Sequence, residues 1–204
     1  IIKAYYAEHK SQADLKQLEM QILDLAQFGL QVGEVKISAK TVDEEDWANN
    51  WKAYYHTTVI GNVAIKPSWE EYTPSAEHVL VTLDPGMAFG TGTHPTTSMC
   101  VAALQEISLK DKTVWDVGTG SGLLAIIAKK LGASVVEAVD IDPVAVEVTQ
   151  ANAALNDVNI SIKRGSIQEL SGTADVIIAN IIADVIINIL PEVKAKLSSD
   201  GVFL

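Results

Sequence analysis

The 204-residue chain has one cysteine, Cys100, so no disulfide can close within it and no cysteine-rich zinc site can form. With 13 glycines and 6 prolines it has too little of either for collagen or low-complexity disorder. Positive charge is scarce. Lys plus Arg number 15 against 26 Asp plus Glu, a net charge of −11. A surface this acidic repels phosphate backbones, so direct nucleic-acid binding is not expected, whereas a basic partner would be attracted. No apolar run reaches the roughly 18 residues that span a bilayer, and Ile1–Tyr6 is not the charged-then-apolar start of a signal peptide. The expectations are a cytoplasmic location, no membrane association and no metal. What the chain does have is 48% hydrophobic residues, and a chain of this size buries about 70% of its unfolded surface.

Residues 1–7 are rich in β-formers, and Ser11 opens a helical pattern carried by Leu15, Leu18, Ile22 and Leu25, with Gly29 as terminator. From Gly33 to Val42, Val35, Ile37 and Ala39 alternate with Lys36, Ser38 and Lys40, the pattern of a half-buried strand. Together these predict part of a small α+β domain over 1–44. The acidic run Asp43–Asp46 favours a helix start. It leads into Trp47 and Trp51, which share one helix face and are expected to pack, in a helical linker over 45–57. Residues 57–76 read as a short hairpin and linker.

From residue 79 strands and helices alternate. Strands are expected at 79–83, 113–117, 135–139, 160–163 and 175–179, with a further one starting near Val202. Helices are expected from Pro95 to Ile107, up to Leu131, from Asp142-Pro143 to Leu155, and from Ile181 to Leu197. This is the signature of an α/β fold with a parallel, doubly wound sheet over 58–204. The chain opens on Ile1 and stops at Gly201–Leu204, a strand just begun, so more chain is expected on both sides.

The strongest chemical signal is Asp116-Val117-Gly118-Thr119-Gly120-Ser121-Gly122, between an apolar strand and the helical run from Leu123. Glycines there permit a tight turn and close approach of a ligand to the backbone. The dinucleotide fingerprint would need glycine at Leu123, and Asp116 would face a phosphate, so pyrophosphate fits poorly. A carboxylate suits a cationic amine. Asp140 ends the next strand, where an acid accepts hydrogen bonds from both ribose hydroxyls, and Ile141 can cover an adenine face. A ribose, an adenine, an amine and no phosphate describe S-adenosylmethionine.

Residues 84–97, DPGMAFGTGTHPTT, together with DVGTGSG, VDIDP, VIIANI, EEDWANNWK and IKPSWEEY, closely resemble the bacterial ribosomal protein methyltransferase family. Its members modify the eleventh protein of the large ribosomal subunit. The resemblance covers most of the chain. It implies a Rossmann-like methyltransferase sheet of seven strands preceded by a small ferredoxin-like recognition domain, a basic ribosomal protein as substrate, and methylation of lysine or α-amino nitrogens. It further implies that Thr97, Gly118, Asp140 and Asn180 bind S-adenosylmethionine, while Gly120 and Asp116 are expected cofactor contacts from the reading of the loop itself. Residues 84–97 read as a cofactor lid, in which Gly86, Gly90 and Gly92 allow unusual backbone angles and Phe89 shields the methyl centre. Thr97 lies in a helical first turn, which suits an anionic end. His94 is either a base or a residue stabilising the loop ahead of Pro95. Asn180 closes a strand where relatives place Asn or Asp, and its carbonyl can orient a target amine; it is the catalytic candidate. Gly165-Ser166 stands where many relatives have Gly-Asp, so the hydroxyl would hold the adenine amino group less strongly.

The expected chemistry is in-line transfer of a methyl group to a neutral amine, which demands alignment and exclusion of water more than a strong base. The alternatives are a methyltransferase for another protein or a small molecule, and a non-catalytic binding module.

Overall fold

The computed structural model describes residues 12–39, 55–84 and 94–204, and the chain divides into two units, Ile1–Tyr54 and Tyr55–Leu204. In the first unit, helix α1 spans Gln12–Asp24 and tightens into a 3-10 turn over Leu25–Phe28. Gly29, at φ 82°, closes it by donating its N–H to the Ala26 carbonyl. Leu15, Leu18 and Ile22 are half-buried on α1, while Leu25 is exposed because the tighter turn rotates it off their face. Over 31–39 no strand forms. Alternation decides which side chains share a face, but a strand needs a neighbour for its backbone, and no described residue supplies one. Residues 1–7, the acidic run and the Trp47/Trp51 pair lie outside the described residues.

Among its described residues the second unit holds two sheets. The smaller joins β1 (Thr58–Ile60) and β2 (Val63–Pro67) through an antiparallel hairpin turning on Gly61 and Asn62, and β2 pairs in parallel with β3 (Val79–Leu83). Strand 79–83 therefore belongs to this sheet and not, as the alternation suggests, to the doubly wound one. Helix α2 (Pro95–Glu106) starts at His94, whose side chain caps it, with Pro95 in the first turn. Gln105 on α2 pins the hairpin: its Oε1 accepts from the Asn62 N–H at 2.7 Å, and its Nε2 donates to the Ile60 carbonyl at 3.0 Å.

The larger sheet contains β4 (Thr113–Val117), β5 (Val135–Asp140), β6 (Ser161–Arg164), β7 (Ala174–Ile178) and β8 (Leu197–Phe203). Its order is β6-β5-β4-β7-β8, and every pairing is parallel. The near-continuous apolar runs of β4 and β7 reflect strands covered on both faces. Between them run helices α3 (Leu123–Lys130), α4 (Pro143–Leu155) and α5 (Ala183–Lys196). Leu197 begins β8 rather than ending α5. It pairs with Ala174, the register then shifts, and regular pairing resumes at Val202 and Phe203.

Helix α3 touches β3 of the small sheet as well as β4 and β5 of the large one. Placed between two sheets, it buries six consecutive residues, Leu123 to Ala128. On the sheet's other side, Trp115, Val139 and Ile177 pack with Ile189 and Val193 of α5. The Trp115 indole N–H, inside this core, donates to Glu137 Oε2 at 3.0 Å. Among the described residues no helix is long and apolar enough to cross a membrane.

Ile126, fully buried on α3, tests this wedge. Ile126→Ala is expected to lower stability by about 2–5 kcal/mol in urea unfolding, through lost burial and the cavity left behind. A loss below about 1 kcal/mol would mean that α3 is not held between the sheets.

Candidate functional site

Parallel strands put their C-terminal ends on one edge, and in α/β sheets ligands bind where the strand order reverses. Here β4 is the reversal point: β5 and β6 lie to one side, β7 and β8 to the other. The glycine loop follows β4, Asp140 ends β5, and Asn180 follows β7, so all three are brought to the same edge.

The loop bends through three positive-φ glycines, Gly118 at 77°, Gly120 at 57° and Gly122 at 83°. The Gly118 and Thr119 N–H groups donate to the Val139 carbonyl at 2.8 and 3.1 Å. A Cβ on Gly118 would come within 2.3 Å of Ile181 Cγ2, so the segments after β4 and β7 touch across the reversal point only because that position is glycine.

Asp140 is held at both oxygens. Its Oδ2 accepts from the Gly120 N–H at 2.9 Å and its Oδ1 from the Asp142 N–H at 3.0 Å. Each oxygen retains a lone pair for a further donor, which fits the two hydroxyls of a ribose. Beside it Ile141 is 74% exposed, an apolar surface at the ligand edge. The Asp142 side chain caps α4 by accepting from the Val144 N–H at 2.9 Å.

Asp116 is 1% exposed. Its Oδ2 accepts from the Thr119 hydroxyl at 2.7 Å and from the Ala125 N–H at 3.2 Å. Burial, with the charge of Asp140 adding to it, raises its carboxyl to about 6, and those two hydrogen bonds pull the other way. The contacts of Asp116 with its own loop and with α3 give it a supporting role there.

Thr97 and Asn180, 83 residues apart, meet: the Asn180 Nδ2 donates to Thr97 Oγ1 at 2.8 Å. Thr97 is 1% exposed in the first turn of α2. That bond uses one of the two N–H donors of the Asn180 amide, whose oxygen can only accept. His94 Nδ1 lies 2.8 Å from the Thr96 hydroxyl and accepts from the Thr96 N–H, a loop-stabilising arrangement. Gly165 donates its N–H to the Asp140 carbonyl at 2.8 Å, and Ser166 opens the short turn Ile167–Glu169. Phe89 and Gly90 lie outside the described residues, as do 85–93 as a whole.

A group that motif reading passes over is the buried polar stripe of α4: Thr149, Asn152 and Asn156. Thr149 Oγ1 donates to the Gly120 carbonyl at 2.9 Å, and Asn152 Nδ2 to the Ser121 carbonyl at 2.8 Å. Asn152 Oδ1 accepts from the Asp84 N–H at 2.9 Å. Their i, i+3 and i+7 spacing, which puts them on one helix face, was the available signal. Among the described residues no group of three or more His, Cys, Asp or Glu could hold a metal ion.

A five-stranded parallel sheet with a glycine loop after its central strand and an acid ending the next is the Rossmann-like sheet of the methyltransferases. The profile described as ribosomal protein L11 methyltransferase (PrmA) matches residues 1–204. The chain belongs to the ribosomal protein L11 methyltransferase family. A relative of that name from Clostridium perfringens (strain SM101 / Type A) is 47% identical over 208 residues, 100% of this chain and 66% of its own length. One from Desulfitobacterium hafniense is 50% identical over 210 residues, with the same coverages of 100% and 66%. The chain thus spans 66% of the length of these relatives. A crystal structure of ribosomal protein L11 methylase from Lactobacillus delbrueckii subsp. bulgaricus superposes with a TM-score of 0.68 at 38% identity, over 73% of this chain and 78% of that one.

The Asp116 geometry predicts a pH dependence. Its carboxyl rises from an ordinary 3.8 to about 6 on folding, so the folded state binds that proton more tightly. The resulting stabilisation is full below about pH 4 and is lost as pH rises to about 6. Relative to Asp116→Asn, the parent protein should lose about 2–3 kcal/mol between those pH values in urea unfolding. A difference independent of pH would contradict the buried carboxyl.

Proposed function

We propose that the protein binds S-adenosylmethionine at this edge and transfers methyl groups to lysine or α-amino nitrogens of ribosomal protein L11, in the cytoplasm. The observation that carries the reading is the convergence of an anchored Asp140, a glycine loop without side-chain bulk and an Asn180 carbonyl on one sheet edge. The names of the relatives supply the substrate.

Asp140 would hold the ribose hydroxyls, Ile141 the adenine face, and the loop from Gly118 the chain leading to the sulfur, with Gly120 and Asp116 supporting it. Thr97, Phe89 and Gly90 would close around the methionine end. When bound, S-adenosylmethionine supplies an electrophilic methyl group. Asn180 Oδ1 would accept a hydrogen bond from the target amine and aim its lone pair. A free lysine near pKa 10.4 is mostly protonated at neutral pH, and water can take the proton as the amine enters. Alignment and exclusion of water are then the principal tasks of the protein.

Asp140→Ala is expected to weaken S-adenosylmethionine binding by about 2 kcal/mol or more, because two hydroxyls lose a charged acceptor. Calorimetry decides it, and unchanged affinity would overturn the assignment. Transfer of labelled methyl to purified L11 tests the activity. The N-terminal part, residues 1–44, would present the substrate. Its deletion should abolish methylation of L11 and leave cofactor affinity within about twofold; loss of both together would count against that division.

A further inference from the structure

The second sheet ends in an edge that side chains, rather than another strand, complete. Among the described residues, strand β3 pairs with β2 on one side only. On its other side Thr82 donates its N–H to Asn156 Oδ1 at 2.9 Å and accepts from Asn156 Nδ2 at 2.6 Å. Two residues on, the Asp84 N–H donates to Asn152 Oδ1 at 2.9 Å. The spacing matches: four helical residues rise about 6.0 Å and two strand residues about 6.6 Å. Asparagine amides on one face of α4 therefore stand in for a neighbouring strand.

Asn156 spends its remaining contact within α4, on the Asn152 carbonyl. Asn152 instead reaches the glycine loop, donating to the Ser121 carbonyl. It is 1% exposed, so both bonds are shielded from water and losing either leaves a buried backbone group without its partner. The next residue back in the loop is Gly120, whose N–H orients Asp140 and whose carbonyl is held by Thr149.

We propose that Asn152 is a positioning residue for nucleoside binding: by joining the Asp84 N–H to the Ser121 carbonyl, it sets the glycine loop, and through it Asp140, relative to the end of β3. This deepens the proposed function and rests on it. Asn156, which makes comparable hydrogen bonds to the same strand without touching the loop, is the matched control.

The test compares Asn152→Leu and Asn152→Asp with Asn156→Leu and Asn156→Asp in the whole chain. S-adenosylhomocysteine is the calorimetric probe, and amide exchange over 118–122 is read in the ligand-free protein. Both Asn152 variants should raise the dissociation constant about tenfold or more and speed exchange in the loop. Asn156 variants should lower the melting temperature but change the dissociation constant less than about twofold. In an Asp140→Ala background the Asn152 effect on affinity should shrink to about twofold or less, because it acts through that carboxylate. The inference is overturned if the parent binds the probe and the Asn152 variants bind it equally, or if Asn152 and Asn156 variants lose affinity alike. Failure of the parent to bind the probe would instead overturn the underlying cofactor reading, and this inference with it.

Discussion

One buried carboxylate carries the ligand edge. Helix α3 begins at Gly122, which has no side chain to cap it. The missing acceptor comes from the preceding strand: Asp116 takes the Ala125 N–H in the first turn and, with the same oxygen, the Thr119 hydroxyl in the middle of the loop. Strand, loop and helix are thereby tied to one atom. Burying that charge is unfavourable, as its raised carboxyl pKa records, and the hydrogen bonds with the helix N-terminal dipole offset part of the cost. Glycine at 122 is required in turn, since its φ is positive and a Cβ would come within 2.8 Å of Thr149.

Around that anchor, backbone groups are satisfied from both sides. The Val139 carbonyl receives the Gly118 and Thr119 N–H groups, Asp140 receives the Gly120 N–H, and α4 takes the Gly120 and Ser121 carbonyls. A loop fastened this way is shaped before any ligand arrives, so less conformational freedom is lost on binding. The placement of α3 serves the same end. Pressed between two sheets, it gives the loop a rigid floor.

Membership of the ribosomal protein L11 methyltransferase family and this geometry support each other at different levels. The family relation rests on the whole chain, whereas the geometry concerns a handful of groups at one edge. Asn180 and Thr97 join the two. They come from motifs 83 residues apart, and the hydrogen bond from the asparagine NH2 to the threonine hydroxyl brings them together.

Much of the larger sheet was readable in advance because its signals are local. Apolar runs, Asp142-Pro143 as a helix start, and glycines that must turn are written within a few neighbouring residues. By itself the chain determined its alternating elements, the glycine loop, and the acid that closes the following strand. Tertiary structure decided the rest. Strand 79–83 joined a separate sheet because its partner β2 and the asparagines of α4 occupy its two edges, and hydropathy does not encode which edge is taken. Residues 33–42 alternate like a strand, yet the described part, 33–39, forms none, because a strand is completed by its neighbour. Asp116, read as a ligand contact, accepts from the first turn of α3, and Asn152 and Asn156 reach the backbone of β3 and of the residue after it. What a polar side chain bonds to is set by whatever the fold brings within about 3 Å, and sequence spacing does not contain that distance.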